Sequence, residues 1–114
     1  MLTKKLRMKR NTQFTYVFKK GQAVKSKCLM LIVAPKKFRN PKIGLVVTKK
    51  IGKSVVRNHV KRLIRESIRQ NLSLVSQSYD LIFVARQGAE CATFQEINKT
   101  ILELLKKSNA LNEN

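Results

Sequence analysis

The sequence contains no tryptophan, only two cysteines and one histidine, and no acidic residue before Glu66. Cys28 and Cys91 lie far apart without neighbouring ligands, so neither a zinc site nor a disulfide framework is indicated, and we expect two buried thiols. The longest apolar run is seven residues, from Cys28 to Ala34. A transmembrane helix needs about 18 or more, and no secretory signal is recognisable, so we expect a cytoplasmic protein without a transmembrane helix.

Positive charge is what the sequence has in excess. Of its 114 residues, 25 are Lys or Arg and 6 are Asp or Glu, for a net charge of +19, while 43% are hydrophobic. Twenty of the 25 basic residues and none of the acidic ones precede Glu66. Residues 1–65 therefore carry all of the excess positive charge, and residues 66–114 are nearly neutral. We predict a single basic domain over 1–114, with flexible ends at about 1–8 and 108–114. Its first expected partner is a polyanion, either nucleic acid or an acidic membrane.

Apolar spacing, together with capping and stop residues, predicts three helices and at least three strands. The helices are a short one from Asn11 or Thr12 to Gly21, a long one capped by Ser54 and ending near Asn71, and Phe94 to Lys107. The strands are Cys28 to Ala34, Ile43 to Thr48 and Tyr79 to Ala85, with a weakly signalled fourth near Ala23 to Ser26. This order predicts an α+β domain in which a mixed sheet of about four strands is packed with three helices.

The first two strong strands are separated only by a basic turn over residues 35–42. Consecutive strands with a short connection usually pair with each other. We therefore expect Cys28 to Ala34 and Ile43 to Thr48 to form an antiparallel hairpin.

The long helix carries a row of cations, which we call the basic ladder. Its members recur every four residues and are Arg57, Lys61, Arg65 and Arg69. Like charges at this spacing cost about 0.2 to 0.5 kcal/mol per pair in an isolated helix, and only Glu66, four residues after Arg62, is available as relief. A row of phosphates would remove the repulsion, because guanidinium groups bind phosphate in a bidentate manner and binding releases counterions.

More polar residues adjoin the ladder. Asn58 and Arg62 flank it, and Lys49, Lys50 and Lys53 precede the helix, whose N-terminal N–H groups also favour a phosphate. A solvated charged face is the ordinary alternative, and a membrane-surface helix is another. The membrane reading is disfavoured because Val56, Val60, Leu63 and Ile64 are needed for the core.

Phe14 and Phe18 lie one turn apart on the first helix and have two readings. They either pack in the core or offer faces on which the bases of single-stranded nucleic acid stack. Catalysis by the chain itself is not indicated, because residues 1–65 contain no carboxylate and His59 is the only histidine. We expect His59 to lie on the surface of the helix without a catalytic role.

The central stretch resembles a known signature. Residues 42–66 read KIGLVVTKKIGKSVVRNHVKRLIRE, and the pattern Arg-Asn-x-x-Lys-Arg-x-x-Arg within it is similar to that of the bacterial ribonuclease P protein component. Phe14-x-x-x-Phe18 with Gly21, and Tyr79 to Arg86, also resemble that family. The similarity covers roughly residues 7–107.

The resemblance implies a small α/β sandwich with a left-handed βαβ crossover, an exception to the right-handed rule. It implies a subunit that binds a catalytic RNA, 1:1, and assists removal of the 5′ leader of precursor tRNA, with hydrolysis performed by the RNA and Mg²⁺. The residues so implied to contact the RNA are Lys49, Lys50, Lys53, Arg57, Asn58, Lys61, Arg62 and Arg65, to which the ladder adds Arg69. Phe14, Phe18 and the strand Cys28 to Ala34 would form the leader cleft. Relatives often carry an aromatic residue on that strand, and Ile32 is its nearest counterpart here. Composition alone equally allows a structural RNA-binding protein such as a ribosomal component.

Overall fold

A computed structural model describes Met8 and residues 11–36, 42–75 and 79–108 of the chain. Its helices are α1 (Asn11–Lys20), α2 (Ser54–Gln70) and α3 (Phe94–Lys107), and its strands are β1 (Gln22–Lys25), β2 (Leu29–Pro35), β3 (Ile43–Val46) and β4 (Tyr79–Ala85). Most of the ends predicted to be flexible, and most of the basic turn, lie outside the described residues. None of the helices in the described part is long and apolar enough to span a membrane.

The four strands form one mixed sheet in the order β1, β2, β4, β3. β2 pairs antiparallel with both β1 and β4, whereas β3 pairs parallel with β4. The predicted α+β class, with three helices on a four-stranded mixed sheet, is confirmed, and the weakly signalled strand exists. β3, α2 and β4 form a βαβ unit, and the handedness of this crossover stays a prediction.

The predicted hairpin between the second and third strands is wrong, because β4 lies between them. β4 is the most deeply buried strand, with Leu81, Ile82 and Phe83 at 0% exposure. A strand that is apolar on both faces is most stable in the sheet interior, where both of its edges are also hydrogen bonded. β3 instead lies on the far side of β4, where Asp80 accepts a hydrogen bond from the Lys42 backbone N–H at 2.8 Å.

Alternating side chains divide the sheet into two faces, each with its own apolar cluster. On β2, Leu29, Leu31 and Val33 join the large cluster beneath α2 and α3. Ile32 and Ala34 point to the other face, where they join Val17 of α1 in a smaller cluster. The sheet is therefore covered by two helices on one face and by one short helix on the other.

The helix limits agree with the sequence to within a residue or two at α1 and α2, and fully at α3. Lys53, not Ser54, is the N-cap of α2, and it makes no side-chain capping bond. α3 has a capping box between Thr93 and Glu96 that the sequence analysis missed. The expectation of two buried thiols holds for Cys28 and is wrong for Cys91, which is exposed just after β4 on a short 3₁₀ turn.

Candidate nucleic-acid interface

α2 presents a polar face to solvent because its apolar residues are confined to one side. Val60, Ile64, Ser67 and Ile68 are buried, and Val56 and Leu63 are half-buried against the same cluster. The prediction that Val56, Val60, Leu63 and Ile64 belong to the core is therefore confirmed, and Ile68 is buried with them. Every charged residue of the helix lies outside the buried stripe.

The basic ladder and its neighbours all reach the surface. Arg57, Lys61 and Arg65 are half-buried, and Lys49, Lys50, Lys53, Asn58, Arg62 and Arg69 are exposed. The half-buried members keep their aliphatic stems against the protein surface, as long cationic side chains commonly do. The structure thus places all nine residues of the predicted RNA-binding set on or beside one side of α2, and their binding role stays a prediction.

Glu66 is the only acidic residue in the sequence of α2. It forms an ion pair with Arg69, three residues away, rather than with Arg62 as its spacing had suggested. Hydrogen bonds from Arg69 and Gln70 hold the pKa of Glu66 below its ordinary value, so the carboxylate is charged at neutral pH. Glu66 therefore offsets the charge at the C-terminal end of the ladder and leaves its N-terminal part positive.

The N-terminal end of α2 is held by backbone geometry. Gly52 adopts φ +152°, a region that favours glycine, and its carbonyl accepts a hydrogen bond from Arg57 Nε at 3.2 Å. This bond anchors the Arg57 side chain through Nε. The two terminal guanidinium nitrogens of Arg57 make no hydrogen bond to the described residues. No acid occupies the first turn, so the positive end of the helix dipole adds to the lysines around it.

The opposite face of the sheet carries the predicted leader cleft. Phe14 is half-buried over β3, Phe18 is 49% exposed, and the Tyr16 hydroxyl donates to the Pro35 carbonyl at 3.0 Å, which ties α1 to the end of β2. Beside α1, cross-strand pairing aligns Met30, Val84 and Val46 in a half-buried apolar row. Phe14 therefore mainly packs, whereas Phe18 is mainly open, and the stacking of bases on either ring stays a prediction.

Ile32 does not contribute a surface at this cleft. It is only 5% exposed and lies beneath α1 in the smaller cluster. The apolar surface that the sheet does offer comes from Met30, on the strand assigned to the cleft, and from Val84 and Val46, which no local sequence signal identified. Their alignment follows from the pairing of β2 and β3 with β4, which is a non-local property.

Strand β3 connects the two candidate surfaces. Phe14 lies over Gly44 on β3, and the chain continues from β3 through Lys49 and Lys50 into α2 on the other face. The ladder and the cleft therefore do not merge into one patch. They lie on opposite faces of the sheet, and the chain passes from one to the other after β3.

No three His, Cys, Asp or Glu side chains among the described residues lie close enough together to hold a metal ion. Burial raises the pKa of the Cys28 thiol, which disfavours the nucleophilic thiolate. His59 is exposed on α2, as expected. A groove of about 630 Å³ between α3 and the β1–β2 turn mixes lysines with Glu96 and Glu103, and so suits a polyanion less well than α2 does.

Comparison with known proteins extends this description. A family model described as Ribonuclease P matches residues 2–109. The chain is 42% identical over 106 residues to the ribonuclease P protein component of Alkaliphilus oremlandii, covering 93% of each chain. It is 38% identical over 110 residues to that of Clostridium botulinum, covering 96% of this chain and 99% of the other.

Solved structures of such proteins have the same fold. The Staphylococcus aureus RNase P protein superposes with a TM-score of 0.85 at 31% identity, covering 94% of this chain and 98% of that one. The Thermotoga maritima RNase P protein gives a TM-score of 0.80 at 25% identity, covering 89% and 96%.

Proposed function

The chain belongs to the ribonuclease P protein family, and on that premise we propose that it is the protein subunit of a ribonuclease P ribonucleoprotein. In this role it binds a catalytic RNA and the single-stranded 5′ leader of precursor tRNA, and it assists removal of the leader. The observation that carries the proposal is the basic side of α2, on which Lys53, Asn58 and Arg62 are exposed and Arg57 and Lys61 reach the surface.

The basic side of α2 is assigned to the catalytic RNA. Arg57 and Arg62 are five residues apart on α2, and a third guanidinium follows at Arg65. Guanidinium groups fixed at this spacing suit successive phosphates of a folded RNA, whose neutralisation releases counterions. If about six phosphates are neutralised, the logarithm of affinity falls against the logarithm of salt concentration with a slope of about −4 to −5.

The α1 face of the sheet is assigned to the leader. Phe18 offers an aromatic face, and the row of Met30, Val84 and Val46 extends an apolar floor from it. Single-stranded RNA is bound in this way, with bases on aromatic and apolar side chains and phosphates on a cationic rim. Because β2 supplies Met30 rather than an aromatic residue, leader binding relies on Phe18 for stacking.

Hydrolysis is assigned to the RNA partner and Mg²⁺. The described residues supply no set of carboxylates that could hold a metal ion, and we assign no step of the hydrolysis to protein side chains. The protein acts by binding and orienting, bringing the leader and the RNA together in a 1:1 complex.

Reconstitution tests the proposal. The full-length protein is combined with the ribonuclease P RNA of the same organism, Mg²⁺ and precursor tRNAs with leaders of increasing length, at near-physiological salt. We expect stimulation at one cleavage site that grows with leader length until the cleft is filled. Steep, salt-dependent RNA binding without stimulation would instead identify a structural RNA-binding protein, and a flat salt response would contradict both roles.

A further inference from the structure

The most exposed large hydrophobic side chain in the described part of the chain lies inside the basic surface. Val55, in the first turn of α2, is 79% exposed, compared with 49% for Phe18 and 40% for Leu74. Its neighbour Val56 turns toward the core and packs beside Gly52. Val55 is therefore directed away from both apolar clusters.

Helix stability does not explain a valine at this position. A β-branched residue loses side-chain freedom in a helix, and the first turn favours acidic or hydrogen-bonding residues that complement the dipole. The first turn of α2 has no acid and no side-chain cap. An acid there would repel a phosphate, whereas an apolar side chain would not.

The surroundings of Val55 identify what can cover it. Lys53 precedes it, Asn58 and Arg62 follow one and two turns later, and all three are exposed. An apolar protein partner would have to desolvate these cations without neutralising them, which is costly. RNA supplies phosphates for the cations and, between them, the apolar faces of riboses and bases. In an A-form helix the riboses line a wide and shallow minor groove that such a side chain can reach.

We propose that Val55 is an RNA-contact residue that packs on a ribose or base face between the phosphates bound by Lys53 and Arg62. The proposal rests on the proposed function, since it needs the basic side of α2 to bind RNA. It adds a contact that carries no charge, so its contribution to affinity does not depend on counterion release.

Because the proposed contact carries no charge, the salt dependence of RNA binding can test it. Affinity of the full-length protein for the ribonuclease P RNA is measured over a range of salt concentrations for Val55→Ser, Val55→Thr and Arg62→Ala. We expect Val55→Ser to weaken binding about threefold to tenfold, and the nearly isosteric Val55→Thr by less, with an unchanged salt slope. Arg62→Ala should also weaken binding but make the slope shallower by about 0.7 to 0.9.

Leu74→Ser is the matched control, because Leu74 is exposed beyond the far end of α2, about 25 Å from Val55 along the helix axis. It should leave affinity unchanged, and all variants should melt like the parent by circular dichroism. RNA affinity of Val55→Ser within experimental error of the parent would overturn the proposal. So would weaker self-association of that variant, measured by sedimentation, with unchanged RNA affinity. A parent protein that does not bind the RNA would refute the proposed function itself.

Discussion

The ring of Phe14 lies directly on the backbone of Gly44, across the contact between α1 and β3. A Cβ atom built on Gly44 would come within 2.6 Å of Phe14 Cε1 and 3.1 Å of Met8 Sδ. Real Cβ atoms do not approach other heavy atoms at the first of these distances. The absence of a side chain at Gly44 therefore sets how closely α1 lies on the sheet, and with it the depth of the proposed leader cleft.

We predict that Gly44→Ala lowers the free energy of unfolding by about 1 to 3 kcal/mol, because the added methyl group overpacks the contact. The cost should shrink when Phe14→Leu is introduced as well, since the smaller side chain relieves the clash. Chemical denaturation of the parent, both single variants and the double variant gives the coupling energy. Additive effects would show that α1 is not held at this contact.

A substitution at Phe18 can test leader binding without disturbing the fold. Its ring is 49% exposed, so Phe18→Ala should change the melting temperature little. If one leader base stacks on this ring, its loss should weaken binding of precursor tRNA to the holoenzyme roughly fivefold or more, because stacking contributes about 1 to 3 kcal/mol per base.

The control for Phe18→Ala is mature tRNA, which has no leader and should bind both holoenzymes equally. An equal loss with precursor and mature tRNA would place Phe18 outside the leader path. Retention of full affinity for precursor tRNA would show that the exposed ring does not stack on the leader.

Arg62 and Arg69 on α2 allow a matched comparison of two alanine variants. Both are exposed, but Arg69 is paired with Glu66, whereas Arg62 makes no hydrogen bond or ion pair with the described residues. Arg62→Ala should therefore weaken RNA binding about tenfold, because it removes a charge-assisted hydrogen bond to a phosphate. Arg69→Ala should weaken it less, because Glu66 already offsets its charge. Filter binding at one salt concentration checks the order, and equal losses would contradict it.

Local signals in the sequence were sufficient for much of the fold. The limits of α3 and β4 were predicted to the residue, because the helical periodicity of α3 and the apolar run of β4 lie within the segments themselves. The outward direction of the basic ladder also followed from helix geometry alone. Each of these features depends on residues that are close together in the chain.

Strand pairing depended on information that no local window contains. β3 follows β2 in sequence, yet both pair with β4, which comes after a 17-residue helix. The same reason explains the site residues that were missed. Met30, Val84 and Gly44 become part of the cleft only through this pairing, and Ile32 loses its surface because α1 covers it. The exposure of Cys91 likewise depends on how the turn after β4 leaves the sheet.

The capping box of α3 gives a pH-dependent prediction. Glu96 accepts hydrogen bonds from the Thr93 backbone N–H and hydroxyl, each at 3.1 Å, and these bonds hold its pKa below the ordinary value of 4.5. A carboxyl group whose pKa is lower in the folded than in the unfolded state stabilises the fold above its unfolded pKa. This stabilisation is lost as the pH falls through the lower folded value.

We therefore expect Glu96→Gln to lower the melting temperature slightly at neutral pH and to match the parent once the pH is well below 4.5. Thr93→Ala removes the other half of the box and should cost about 0.5 to 2 kcal/mol with less dependence on pH, because its hydroxyl also accepts from the Glu96 backbone N–H. Thermal melts from neutral to acidic pH compare the three proteins. A constant difference between Glu96→Gln and the parent at every pH would mean that the charge of Glu96 is not what stabilises the start of α3, and that its amide replacement acts through packing instead.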